Sequence, residues 1–307
     1  MKQATEVSQR PLLGICLKIT AIVLLVTMMV AIKLVHTTVP VGQIVFVRSI
    51  IGLVTVYLFY TMRPQLNGAH AIHQLRMISI RNHLPWAIAA AAAMSMWFVA
   101  ITLIPLPEAT AIGFIMPLLV VAFAWLILGE KIRLVRSVAV ASGLIGVTII
   151  VWPRLGLGAD YQSQAAIGAA LALGAAILWA YAQICLRQLT KTESSGSSVV
   201  SFSVATLCLS LVTVWFGWHM PDATGWFWLI VCGVTGGLGQ LCTAESLRYA
   251  TPSTLAPFEY LSFPVASLAA IIIFTEHPHA NIWWGLPFVI AGGLLVIVRE
   301  YQLKSQS

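Results

Sequence analysis

The sequence predicts an all-α integral membrane protein of ten transmembrane helices, arranged as two inverted five-helix repeats. Three observations carry this expectation. Composition is the first: 59% of residues are hydrophobic, 9% are charged and the mean hydropathy is +0.92, whereas soluble domains carry about 25% charged residues. The second is a series of apolar stretches close to the roughly 20 residues that a bilayer core demands. The third is an internal echo. The segment from Pro107 to Lys131 (PEATAIGFIMPLLVVAFAWLILGEK) returns from Thr251 to Pro278 (TPSTLAPFEYLSFPVASLAAIIIFTEHP). Each copy runs from small and hydroxyl residues through a mid-segment proline to a closing glutamate, Glu130 or Glu276, and 276 − 130 = 146 positions separate the two. That period exceeds any solenoid unit and points to duplication of a whole bundle.

The elements follow in order. Residues 12–36 form the first span; the apolar run after Arg10 is too long for a secretory signal, and no small-residue cleavage site follows it. The second, 40–62, opens on Pro40. The third, 84–104, and the fourth, 107–128, are parted only by Pro105 and Pro107, which end one helix and begin the next in a tight hairpin. The fifth covers 134–152, the sixth 164–187 and the seventh 197–218. The eighth, 224–247, is crowded with Gly233, Gly236, Gly237 and Gly239, and small residues of this kind let helices approach closely. The ninth, 251–274, carries the echo, and the tenth is 281–299. The join falls in the loop around Gly156 to Asp160, giving halves of 1–155 and 156–307, with the flexible run Glu193 to Ser198 slightly beyond it.

Basic residues mark the cytoplasmic side of short loops. Of the 17 lysines and arginines, Arg48 lies mid-span, only Lys33 and Arg154 face out, and the remainder, Lys18 counted among them, fall on the inner side if the N-terminus is inside. Both termini are then cytoplasmic. Five spans per half make the second copy enter from the opposite face. The net charge of +7 is thereby explained by topology, not by a contiguous nucleic-acid-binding stripe. The five cysteines lie in or beside apolar spans without C-x-x-C spacing and read as free thiols. His70, His73 and His83 read as a solvated inner loop, because no cysteine or carboxylate stands near them to complete a metal site. No metal or cofactor is expected.

Lys33 followed by Pro40 and Arg48 (AIKLVHTTVPVGQIVFVRSIIG), the fourth-span PLL…LGEK, and the ninth-span LRYATPSTLAPFEY with its closing TEHP together resemble the drug/metabolite transporter superfamily, EamA type. The likeness covers nearly the whole chain. It implies a ten-helix inverted-repeat carrier that moves small polar metabolites, often outward, across a bacterial inner membrane. Similar members handle amino acids, riboflavin, S-adenosylmethionine, nucleotide bases or opine-type metallophores, so the likeness narrows mechanism more than cargo.

The residues themselves locate a path. Arg48 lies eight residues beyond Pro40, about 12 Å down the second helix at 1.5 Å per residue. An arginine at helix centre costs roughly 2.5 to 3.5 kcal/mol on insertion scales, so it faces protein or water; it serves there as a helix clamp or as a planar fork for a carboxylate or phosphate. Glu259 sits at comparable depth in the ninth span between Pro257 and Pro264, which interrupt backbone bonding as in discontinuous transporter helices. It would bind a substrate amine, carry a coupling proton or bond a neighbouring helix. Glu245 stands three residues from Arg248, a spacing that suits a surface pair as well as a coupling group. Lys33, near the outer end of the first helix, either snorkels or adds a second cation beside Arg48. Trp97, Trp179 and Tyr260 would wall a site for a flat group, while Pro117 marks the fourth span as Pro264 marks the ninth, and these prolines with Pro257 are candidates for gating.

The expected function is secondary transport: two halves alternately open a central site to either side of the membrane. The cargo read from Arg48 and Glu259 is a small polar or zwitterionic metabolite, amino-acid-like or an opine-type metallophore, moved outward. The competing expectation is import of a vitamin or nucleotide-like compound such as riboflavin or S-adenosylmethionine. A membrane enzyme acting on lipid-linked substrates is the remote alternative; the loops hold no aspartate-rich motif, no H-E-x-x-H and no nucleophile beside a base. ATP hydrolysis is also unexpected, since no G-K-[ST] accompanies the glycines. The partners expected are a small metabolite, the lipid bilayer and a coupling proton, in a monomer or homodimer, with no nucleic acid.

Overall fold

The computed structural model describes residues 11–61, 79–129, 134–155, 164–189, 195–250, 252–277 and 280–304. Among the described residues there are twelve α-helices, one 3₁₀ turn and no strand. The first repeat comprises α1 (Pro11–Val35), α2 (Val41–Thr61), α3 (Ile80–Leu103), α4 (Leu106–Gly113), α5 (Met116–Leu128) and α6 (Leu134–Leu155). The second comprises α7 (Gln164–Leu189), α8 (Ser195–Leu211) with its 3₁₀ extension Val212–Phe216, α9 (Ala223–Tyr249), α10 (Pro252–Glu259), α11 (Ser262–Phe274) and α12 (Ala280–Lys304). Among the described residues, five apolar segments are long enough to cross a bilayer, Pro11–Val35, Ile80–Leu103, Leu106–Ile127, Gln164–Leu186 and Ala223–Thr243. Five shorter apolar helices fall on the remaining expected stretches.

The two echoing spans are each built from two helices. Both begin with an eight-residue helix, pass two non-helical residues, Phe114–Ile115 or Tyr260–Leu261, and resume for 13 residues. Every boundary of the second copy lies 146 positions after its counterpart in the first. The cause is local. Pro117 has no N–H for the Gly113 carbonyl, and Pro264 has none for the Tyr260 carbonyl, so neither turn can be completed. Shorter bonds take over: Ile115 N–H donates to Ile112 O at 3.1 Å, and Leu261 N–H to Phe258 O at 3.0 Å. Pro257, expected to flank a break, lies inside α10; the interruption falls beyond Glu259, on the side of Pro264.

Packing repeats the relation. Helix α1 lies against α9, α3 against α7 and α6 against α12. Exchanging the repeats turns the first pairing into the second and returns the third to itself. In the third pairing the Ser142 hydroxyl donates to Phe288 O at 2.9 Å, and 288 − 142 is again 146. The elbows before the broken spans match as well: Ile104 and Ala250 both cap their helices in extended conformation. A glycine seats each elbow. A Cβ on Gly14 of α1 would come within 2.6 Å of Ala250 Cβ, and one on Gly168 of α7 within 2.7 Å of Ile104. The glycines of α9 serve two neighbours, Gly233 and Gly237 facing Ile51 and Thr55 of α2, Gly236 and Gly239 facing Met28 and Leu25 of α1.

The broken spans also end alike. Gly129 after α5 has φ 66° and Thr275 after α11 has φ 54°, both left-handed helix stops of the kind that satisfies terminal carbonyls; Glu276 N–H closes the second on Ala270 O at 3.1 Å. Glycine adopts that conformation freely, whereas a β-branched residue is strained there by about 1 to 2 kcal/mol. Thr275→Gly is therefore expected to raise the melting temperature of the purified protein by about 2 °C. A fall would mean that the Thr275 hydroxyl, which donates to Phe274 O at 2.6 Å, contributes more than the strain costs.

Candidate functional site

Arg48 is the eighth residue of α2 and is 5% exposed. Its surroundings are unusual for a cation. One guanidinium N–H reaches the Met94 thioether at 3.0 Å, and the Phe98 ring lies 5.9 Å from the guanidinium carbon. Its Nε is buried without a hydrogen-bond partner. The neighbouring helix α9 brings Gly236, on which a Cβ would stand 3.2 Å from Nε and 2.7 Å from Met28 Sδ. Among the described residues no carboxylate lies within ion-pair distance of Arg48.

Both lysines of α1 are paired. Lys33, 9% exposed at its side chain, meets Glu276 at 2.6 Å, donates to the Ile104 carbonyl at 3.1 Å and stands over the Phe274 ring at 5.4 Å. It therefore joins α1 to the elbow before α4 and to the end of α11, and does not snorkel freely. Lys18, counted above with the inner loop, is instead buried within α1 and forms an ion pair with Glu259 at the end of α10. The partner of Glu259 is thus Lys18. The carboxylate of Glu259 remains 58% exposed while the Lys18 side chain is 7% exposed.

The aromatic candidates gather around the two breaks. Trp97 and Trp179 meet edge to face with centroids 6.4 Å apart, and Trp97 closes over Gly113, where a Cβ would be 3.2 Å from its ring. Phe114 and Tyr260, the first residues of the two interruptions and 146 positions apart, contact each other at 5.1 Å with an interplanar angle of 71°. The Tyr260 hydroxyl occupies the space that a Cβ on Gly293 of α12 would take. Gly293→Ala is accordingly expected to lower the melting temperature, and addition of Tyr260→Phe to restore most of the loss. Equal melting of single and double variants would show that the tyrosine relaxes without cost.

Pro117 and Pro264 lie exposed at the starts of α5 and α11, and Glu245 is half-buried near the end of α9. His83 departs from the expectation of a solvated loop: it is 2% exposed, and its Nδ1–H donates to Ser201 Oγ at 2.9 Å, whose own hydroxyl donates to Ser198 O. His70, His73 and Glu130 lie outside the described residues. No group of three or more metal-ligating side chains occurs among the described ones.

Sequence reasoning missed Lys18, Phe114 and the pairing of Lys33 with Glu276. A signal existed for the lysines. Lys18 and Lys33 are 15 residues apart, close to four helical turns, so both face one side of α1 about 22 Å apart. Glu259 and Glu276 are 17 residues apart in the ninth span, about 25 Å along a continuous helix. The two spacings match.

Comparison with known proteins agrees with this architecture. The profile of the EamA-like transporter family matches residues 12–152 and again residues 166–298. A riboflavin transporter of Vibrio cholerae is 26% identical over 78% of each chain. The pseudopaline exporter CntI of Pseudomonas aeruginosa is 26% identical over 93% of each chain. An S-adenosylmethionine uptake transporter of Rickettsia prowazekii is 26% identical over 69% of this chain and 70% of its own. One solved crystal structure superposes with a TM-score of 0.64 at 19% identity, covering 94% of this chain and 98% of that one, a likeness of fold alone. Two matches of one profile, one on each repeat, place the chain in the EamA-like transporter family.

Proposed function

We propose that this protein is a secondary carrier that exports a small polar metabolite across a bacterial inner membrane. All ten apolar segments cross the bilayer, both termini are cytoplasmic, and the halves 1–155 and 156–307 alternate about a central site bordered by Arg48, Lys33, Glu259, Trp97, Trp179 and Tyr260. The observation that carries this reading is the contact of Phe114 with Tyr260. Each sits where its span loses helical bonding, each is the repeat-mate of the other, and discontinuous helices meeting at a repeat interface are where secondary transporters bind cargo. A structural protein has no use for two weakened spans abutting at the centre.

Outward transport of an opine-like or amino-acid-like compound is favoured by the pseudopaline exporter, whose alignment spans more of this chain than those of the two vitamin and cofactor transporters named above. Import is the second reading, favoured by the S-adenosylmethionine uptake transporter. Reconstitution into liposomes and counterflow with labelled amino acids, opines, riboflavin and S-adenosylmethionine decides between their cargoes, and efflux against uptake in cells with and without the protein decides direction. Counterflow of an opine or amino acid supports the cargo of the proposal, and counterflow of riboflavin or S-adenosylmethionine supports the cargo of the second reading. Vesicles that exchange none of these while turning over a lipid substrate would return the protein to the enzymes.

A further inference from the structure

The two cationic side chains of α1 each have a carboxylate, Glu259 for Lys18 and Glu276 for Lys33. Among the described residues Arg48 has none, although it is as enclosed as Lys18. A guanidinium carries five N–H donors, and here a thioether, which is a weak acceptor, takes one while Nε is left with nothing. The Nε edge is one of those that hold a planar oxyanion in two parallel bonds. Gly236 leaves that edge uncovered by any side chain of its own, since its missing Cβ would stand 3.2 Å from Nε. On the α3 side, Met94 and Phe98 present only sulfur and a ring face. A bare cation in such a setting is costly at rest, and an arriving anion would relieve that cost.

We infer that Arg48 binds an oxyanion of the cargo, a carboxylate or phosphate group, and that the cargo is anionic there instead of zwitterionic. This rests on the carrier reading above and narrows its substrate. The pairing of Glu259 within the same bundle sets the sign. Glu259 is already neutralised by Lys18, so an incoming ammonium group would have to displace a buried lysine, whereas an incoming carboxylate meets an unopposed guanidinium. Compounds rich in carboxylates fit this balance; neutral or cationic compounds leave Arg48 as it is.

The test uses the full chain in phosphatidylcholine nanodiscs, with and without phosphatidylglycerol, and reads the melting temperature with citrate, glycerol 3-phosphate, riboflavin or S-adenosylmethionine added. Citrate or glycerol 3-phosphate is expected to raise the wild-type midpoint by a few degrees, and neither to move Arg48→Met or Gly236→Ala. Without additive, Arg48→Met is expected to melt about 3 °C above wild type, because a thioether replaces an uncompensated buried cation of similar length. Several outcomes overturn the inference: Arg48→Met melting below wild type, which makes Arg48 a structural clamp; equal oxyanion shifts in wild type and variants; a shift with riboflavin or S-adenosylmethionine alone; or a shift produced only by phosphatidylglycerol, which gives the site to a lipid headgroup. None of these touches counterflow, so the carrier reading stands or falls separately.

Discussion

Lys33→Met is expected to lower the melting temperature of the purified protein by about 6 °C, corresponding to about 3 kcal/mol at roughly 2 °C per kcal/mol for a chain of this size. Three contacts disappear at once. Glu276 loses its counter-ion, the Ile104 carbonyl loses its donor, and the Phe274 ring loses the ammonium above it. Ile104 cannot easily replace the bond, since it is extended and the elbow that follows contains Pro105 and Pro107, neither of which has an N–H to offer. Glu276 also has one carboxylate oxygen already buried without a partner, so removal of Lys33 leaves a largely enclosed and unopposed charge. Breaking a buried pair from one side costs about 3 to 5 kcal/mol, whereas replacing both members with apolar groups is often near neutral. The double variant Lys33→Met with Glu276→Leu is therefore expected to recover about half of the loss, the remainder reflecting the Ile104 carbonyl. An unchanged midpoint in the single variant would show that this pair does not hold α1 to the ninth span.

The fold was legible because lipid enforces one rule everywhere: backbone groups must be satisfied within the segment, so long apolar runs become helices. Pro105 and Pro107 marked the sharp turn between α3 and α4, and the structure turns there, at Ile104 and Pro105. The echo between the fourth and ninth spans was equally plain, yet the position of the breaks was not, because a proline disturbs the carbonyl four residues before it and not its own location. That displacement puts the interruptions at Phe114 and Tyr260 and leaves Pro257 within a helix. Charge pairing was harder still. Lys18 lies seven residues into α1, near enough to a span end to be counted with a loop, and only its burial and its pairing with Glu259 of α10 reveal otherwise. Arg48 was conspicuous from its depth alone, but that it would lack a carboxylate depends on where Lys18 and Lys33 send the available glutamates, which is a property of the tertiary arrangement.

The Lys18–Glu259 pair carries an asymmetry that the sequence could not express, and it leads to unequal effects from its two halves. Lys18 is enclosed, with Gly14 one turn before it packed on the elbow at Ala250, so its ammonium is largely withdrawn from water. Glu259 is more than half exposed and can turn outward to water. Glu259→Leu strands the enclosed cation and is expected to lower the melting temperature by about 4 °C, or about 2 kcal/mol, less than for a fully buried pair because one partner was never fully desolvated. Lys18→Met removes the enclosed charge and leaves a carboxylate that finds another arrangement, so its midpoint should stay within about 2 °C of wild type. The order of the two effects is the diagnostic. If Lys18→Met were the more damaging change, the carboxylate would be the trapped partner, and the break at Tyr260–Leu261 would be held closed by Glu259, not merely tethered to α1 through Lys18.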